Sequence, residues 1–262
     1  MLRLPPLAAL LLALAVASPS SALLLDFYEG LDHGAIAVDG FADFGAYSVT
    51  VVNPNRAFDL GVTFDSDQNE TSDKDIEYGW QKGWSGGNLA PDPIGVPSRE
   101  GFGRLGDVLI LQENFDGCGS GICSDPDDEG TFPIAGSFEF SLDSLFSSFA
   151  IDLIDLGDHD GLEETRISFF NGQSLVNDFL IHDLPTLLPS QNIEYGNDTA
   201  NHVELSDSVI GGAFDRIRID IQGSGAIDGL LVEGFVPVPE PSTAALLCIG
   251  LAALARDRRR RR

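Results

Sequence analysis

Hydrophobic and polar residues alternate along this chain in short runs. "SFEFSLD" puts Phe138, Phe140 and Leu142 on one face and Glu139, Ser141 and Asp143 on the other. "RIRIDIQ" repeats the pattern, with Ile217, Ile219 and Ile221 set against Arg216, Arg218 and Asp220. "YSVTVV", "DVLILQ", "SFAIDLIDL", "TRISFF" and "IDGLLVEGF" continue the series. A period of two is strand spacing, with one buried and one wet face. Gly, Asn, Asp and Pro cluster between the runs, as turns require. No convincing helical period lies among them. The pattern predicts an all-β fold, a jelly-roll-like β-sandwich of two sheets packed face to face.

Residues 65–105 break the rhythm, with few alternations and much Gly, Pro and Asp. A loop that long inside a compact domain is functional or disordered. It holds both tryptophans, Trp80 and Trp84, together with Tyr78. Aromatic faces cover the apolar face of a sugar ring, so these three are candidates for a glycan-stacking platform. Packing into the core is the competing explanation.

The two ends read as addresses. Arg3, an apolar run from Leu7 to Ala17 and the small residues Ser20-Ser21-Ala22 form a secretory signal peptide with cleavage after Ala22. At the other end, Ser242–Ala255 would make a helix of about 21 Å, short of the roughly 30 Å hydrocarbon core. Six arginines follow within residues 256–262 and would stay on the cytoplasmic side. Pro237, Pro239 and Pro241 keep the preceding segment extended and accessible. An accessible site before a weak membrane helix is the design of a cleavable sorting tail. The expected organisation is a signal peptide (1–22), an extracellular β-sandwich domain (23–235) and a tail with a short hydrophobic helix (236–262).

Charge narrows the partners. The region 23–235 holds 8 basic and 39 acidic residues, a net of −31. Such a surface repels phosphate backbones and excludes nucleic acid, while attracting cations such as calcium. Cys118 and Cys123 flank "GSGI", and in an oxidising compartment they are expected to form a local disulfide. In the chain-entropy model it contributes about 2 kcal/mol. No further thiol or imidazole lies nearby to build a zinc site.

Pro239-Glu240-Pro241, the apolar run and the arginine cluster resemble the PEP-CTERM sorting signal of Gram-negative bacteria. The resemblance implies processing by signal peptidase and then exosortase, transient inner-membrane insertion, delivery to the cell surface or extracellular matrix, and association with exopolysaccharide. The region before the tail also resembles uncharacterised extracellular PEP-CTERM proteins, through "FDSD", "GGNLAP", "GDVLILQE", "DPDDEG" and "GSGAIDGL". That likeness brings no activity with it.

Three acidic turns could hold calcium: Asp65, Asp67, Asn69, Asp73 and Asp75; Asp125, Asp127 and Asp128; and Asp158 and Asp160. A solvated acidic turn competes with each. The first begins like an EF-hand loop, but Glu70 and Ile76 occupy the positions that need Gly and Glu. "GWSGG" matches the hydrolase string around Ser85, without the α/β pattern its mechanism requires. His33, His159, His182 and His202 lack metal-ligand spacing and are expected in surface or turn positions. No motif supplies a nucleophile with an orienting base. The expected function is that of a non-catalytic matrix protein binding calcium or glycan. The alternatives are a glycoside hydrolase or lyase acting on exopolysaccharide and a purely structural envelope component.

Intact-mass measurement on protein from its native host should find a chain beginning near Leu23 and ending near the Pro239-Glu240-Pro241 segment. A mature, localised form that keeps the apolar run and arginines would overturn the sorting-tail reading.

Overall fold

The computed structural model describes residues 22–66, 68, 71, 76, 86–89, 106–115, 117–128, 136–156, 165–196 and 199–234. In chain order its strands are β1 (Ala22–Leu24), β2 (Ile36–Asp39), β3 (Phe41–Asp43), β4 (Tyr47–Val52), β5 (Leu60–Asp65), β6 (Asp107–Leu111), β7 (Cys118–Gly119), β8 (Ile122–Cys123), β9 (Gly136–Phe146), β10 (Ser148–Ile154), β11 (Arg166–Asn171), β12 (Ser174–Leu180), β13 (Ala200–Leu205), β14 (Phe214–Ile221) and β15 (Ala226–Glu233). All seven alternating runs of the sequence are strands, and the chain is all-β. A seven-stranded sheet runs β13-β10-β15-β6-β5-β2, with β1 also on β15. A six-stranded sheet runs β12-β11-β14-β9-β4-β3. Every strand pairing in both sheets is antiparallel. Both sheets are larger than the halves of the roughly eight-stranded jelly roll the sequence suggests.

The sheets meet face to face. Phe138 and Phe140 of β9 and Ile217, Ile219 and Ile221 of β14 are fully or almost fully buried, in one cluster with Ile151 and Leu153 of β10. Contact is close enough that a Cβ at Gly61 would lie 3.2 Å from both Phe138 and Val51 on the opposite sheet. The outward residues of the six-stranded sheet pair as their alternation predicts. Arg166 bonds Asp178 at 2.6 Å, Arg218 bonds Asp220 at 2.7 Å, and Arg216 lies 4.5 Å from the Phe170 ring centre.

The seven-stranded sheet departs from simple alternation, because both of its faces are buried. Leu109 and Leu111 face the sandwich, while Val108 and Ile110 join Leu60, Val62, Phe64, Ile154, Ala200 and Ala226 in a second cluster on the far face. That is why "DVLIL" and "AIDLI" read as near-continuous apolar runs. Ile76 and Leu89 from the 65–105 segment and Cys123 from the β7–β8 hairpin pack into this second layer. Cys118 and Cys123 are disulfide-bonded in that hairpin.

Strand β13 lies at a sheet edge, where unpaired backbone groups invite aggregation. Here three successive outward-facing residues are capped. Ala200 exchanges bonds with the backbone of Gly86 and Leu89. His202 N–H donates to Asn88 Oδ1 at 2.6 Å, and Asn88 Nδ2 donates back to His202 O at 2.7 Å. Gln191 repeats the arrangement at Glu204, at 3.0 and 2.8 Å. Each side-chain amide takes the place of a neighbouring peptide. Gly87, at φ +92°, allows the close approach: a Cβ there would sit 2.1 Å from Ala200 O.

Asn88→Ala should therefore release one cap and cost about 1–3 kcal/mol. Amide hydrogen exchange should show the His202 N–H losing protection. Unchanged protection at His202 would show that Asn88 does not hold this edge.

Candidate functional site

Strands β13, β10 and β15 line up three polar side chains in an apolar sheet. Register pairs His202 with Asp152 and Asp152 with Asp228, which sets their side chains side by side. Asp152 is 3% exposed and Asp228 is 7% exposed. His202 Nδ1 lies 2.5 Å from Asp152 Oδ1, and its Nε2 lies 3.2 Å from Glu204 Oε1. At the other end the fully buried Tyr28 donates its hydroxyl to Asp228 Oδ1 at 2.8 Å. Gly229 N–H donates to the same oxygen at 2.6 Å. The pairing of β10 with β15 shifts register here, between Ala150 and Asp152, and Gly229 has φ +56°.

Burial forces a choice of charge state on this row. Two neighbouring carboxylates out of water disfavour double ionisation. The Asp228 carboxyl is pushed up to about 7, first by burial and then by the Asp152 charge. Burial, with Asp228 beside it, holds the Tyr28 phenol well above its usual range, so it stays a donor.

None of these residues is among the site candidates the sequence suggests. The sequence suggests a surface or turn position for His202, but it sits on β13 with its side chain 12% exposed. The available signal was an Asp inside a strand otherwise apolar on both faces, in "AIDLI" and "AIDGLLV".

A second acidic group lies at the far end of the sheet. Asp65 and Asp107 are register partners on β5 and β6. Asp107 Oδ2 accepts from Gly30 N–H at 2.9 Å, and His33 Nδ1 accepts from Asp65 N–H at 3.1 Å. Burial raises the Glu29 carboxyl, helped by Asp107 and then Asp26. Burial lowers the His33 imidazole against the pull of Asp65 and Asp107.

The loop after the disulfide is organised by the buried Gln112. Its amide donates to Asn114 O and Asp125 O and accepts from Asp127 N–H. Asp127 Oδ2 accepts from Asn114 at 2.6 Å, and the buried Asp128 accepts from Gly225 N–H at 2.5 Å. Two of the three carboxylates predicted there as calcium ligands thus hold local backbone and side-chain groups. Asp67, Asn69, Asp73, Asp75, Asp158 and Asp160 lie outside the described residues, as do Tyr78, Trp80, Trp84 and the Pro239-Glu240-Pro241 motif. Among the described residues no group of three or more His, Cys, Asp or Glu side chains is placed to hold a metal. Ala22, the predicted cleavage residue, opens β1 opposite Glu233.

Beside the His202 row a cavity of about 600 Å³ opens between β10, β13, β15 and the 188–191 turn. Glu204, Glu233, Ala150, Leu188 and Leu231 are among the residues that line it.

The raised Asp228 carboxyl makes stability depend on pH. The folded chain keeps a proton there that the unfolded chain sheds above its ordinary Asp range. That contribution is complete at low pH and is lost as pH rises toward about 7. For one whole proton the slope approaches about 1.4 kcal/mol per pH unit. Asp228→Asn, which still accepts from Tyr28, should gain on the parent chain as pH climbs from 5 to 8. Denaturant unfolding at each pH measures this, and parallel curves for the two proteins would refute it.

Among the described residues no helix is long and apolar enough to cross a membrane. Comparison with curated proteins and with solved structures finds no match to this chain. Residues 237–261 match the family model of the PEP-CTERM protein-sorting motif, so the chain carries that sorting signal after its β-sandwich.

Proposed function

We propose that this is an exported, exosortase-sorted protein of the cell envelope or extracellular matrix of a Gram-negative bacterium, whose β-sandwich binds its partner without transforming it. The sorting motif at 237–261 carries the reading. The strongly acidic surface supports an extracellular role with cationic or neutral partners over one with nucleic acid. The buried carboxylates support binding over catalysis, since Asp152 and Asp228 are engaged with His202, Tyr28 and Gly229 inside the sheet. Exopolysaccharide is the proposed partner, and the cavity beside Glu204 is the proposed place of contact. Incubation with a panel of polysaccharides should give retention without turnover. Product release by the purified protein would replace this reading with that of a glycoside hydrolase or lyase.

Calcium is the proposed ion. The net charge of −31 over residues 23–235 supports it, because an oxygen-coordinated dication relieves carboxylate repulsion. A ligand that binds the folded state alone stabilises it by about 2.7 kcal/mol at a hundredfold excess over its dissociation constant. Calcium should raise the melting temperature more than magnesium or ionic-strength-matched sodium chloride. Asp65→Asn with Asp67→Asn should shrink that shift if the site lies in that segment, and the same changes at Asp127 and Asp128 test the rival loop. Equal shifts for all three salts would leave a generally acidic surface and no site.

A further inference from the structure

We infer that the cavity between β10, β13 and β15 selects a sugar carrying a free amine, a proposal that rests on the glycan-binding reading above. The geometry is that of a shallow amphipathic pocket. Glu204 and Glu233 are register partners of Ala150 and Ser148 on the intervening strand, so both lie on the same face of the sheet. Strand spacing and rise put their Cα atoms about 12 Å apart, with Ala150 and Ser148 between them and Leu231 at the side. A pyranose ring fits that gap with its apolar face down. A cavity of about 600 Å³ is in the range of small-ligand sites, roughly 300–1,000 Å³.

The wall is built before any ligand arrives. Gln191 is tied to the Glu204 backbone by two hydrogen bonds, and Asn88 reaches both His202 O and Gln191 O. A preorganised wall saves the ordering cost that weakens binding.

Charge sets the selectivity. Among the described residues, Glu204 and Glu233 are the charged side chains lining the cavity, and none of that lining is Lys or Arg. His202 touches Glu204 through one ring nitrogen and is held by Asp152 through the other. Uronic acids and phosphorylated sugars are repelled here, and by a region of net charge −31 as a whole. A protonated amine placed at either glutamate gains a charge-assisted hydrogen bond. An N-acetylated amine loses that charge while keeping the rest of the sugar.

The test uses the mature exported protein and isothermal titration calorimetry with three disaccharides: glucosamine, N-acetylglucosamine and a uronic acid. Glucosamine disaccharide should bind about tenfold or more tighter than its N-acetylated form, and the uronic acid should not bind. Glu204→Gln with Glu233→Gln should weaken the amine-bearing sugar by about tenfold or more. Asp39→Asn with Asp143→Asn removes the same charge away from the cavity and should leave binding unchanged. Equal binding of the two glucosamine forms would overturn the selectivity and leave glycan binding standing. Equal weakening by both double variants would mean a diffuse acidic field without a site, and would likewise overturn it. Retention of no glycan at all, in this assay or on the polysaccharide panel, would remove both readings.

Discussion

The seven-stranded sheet carries apolar side chains on both faces, and water penalises whichever face is left open. One face is met by the six-stranded sheet, through Phe138, Phe140 and the isoleucines of β14. The other holds Leu60, Val62, Phe64, Val108 and Ile110, and the third sheet, β7–β8, has only two short strands to set against them. The cover is assembled from pieces: the β7–β8 hairpin, Ile76, and Leu89 at the end of the long Gly- and Pro-rich segment. At about 25 cal/mol per Å² of apolar surface removed from water, a few such side chains outweigh the cost of ordering short loop pieces. The irregular parts of the chain are therefore part of its core.

Covering a sheet this way strands polar groups in dry surroundings, and the molecule answers with amides. Asn88 and Gln191 stand in for a missing strand along β13, and Gln112 holds the acidic loop with three hydrogen bonds. Where charge could not be avoided, as at Asp152 and Asp228, the row is closed by Tyr28, Gly229 and His202. An unpaired group in such a place costs more than a pair contributes, so these bonds specify the arrangement more than they strengthen it.

Much of the fold was legible because the six-stranded sheet obeys the period of two. "SFEFSLD" and "RIRIDIQ" name the buried and wet faces of β9 and β14 correctly. The two-layered sheet hides its faces in continuous apolar runs, so period alone could not tell that a second layer exists. Strand β13, "ANHVEL", lacks the period for the opposite reason: its polar residues are partnered from outside the strand, by Asp152, Asn88 and Gln191. The candidate site went with it. An isolated Asp between apolar neighbours marks a buried carboxylate, but it does not reveal which strands bring two of them together. The tail was readable because its three features occur in order within one short segment, without help from tertiary structure.

The disulfide ties chemistry to place. Its hairpin packs on the second apolar face, with Cys123 inside the cluster. Thiols of this kind close in oxidising surroundings and stay open in a reducing cytosol. In a reducing compartment the hairpin would be held on this face by its non-covalent contacts alone. The same covalent bond that closes the hairpin thus records the compartment: the outer layer is stapled only where the surroundings are oxidising.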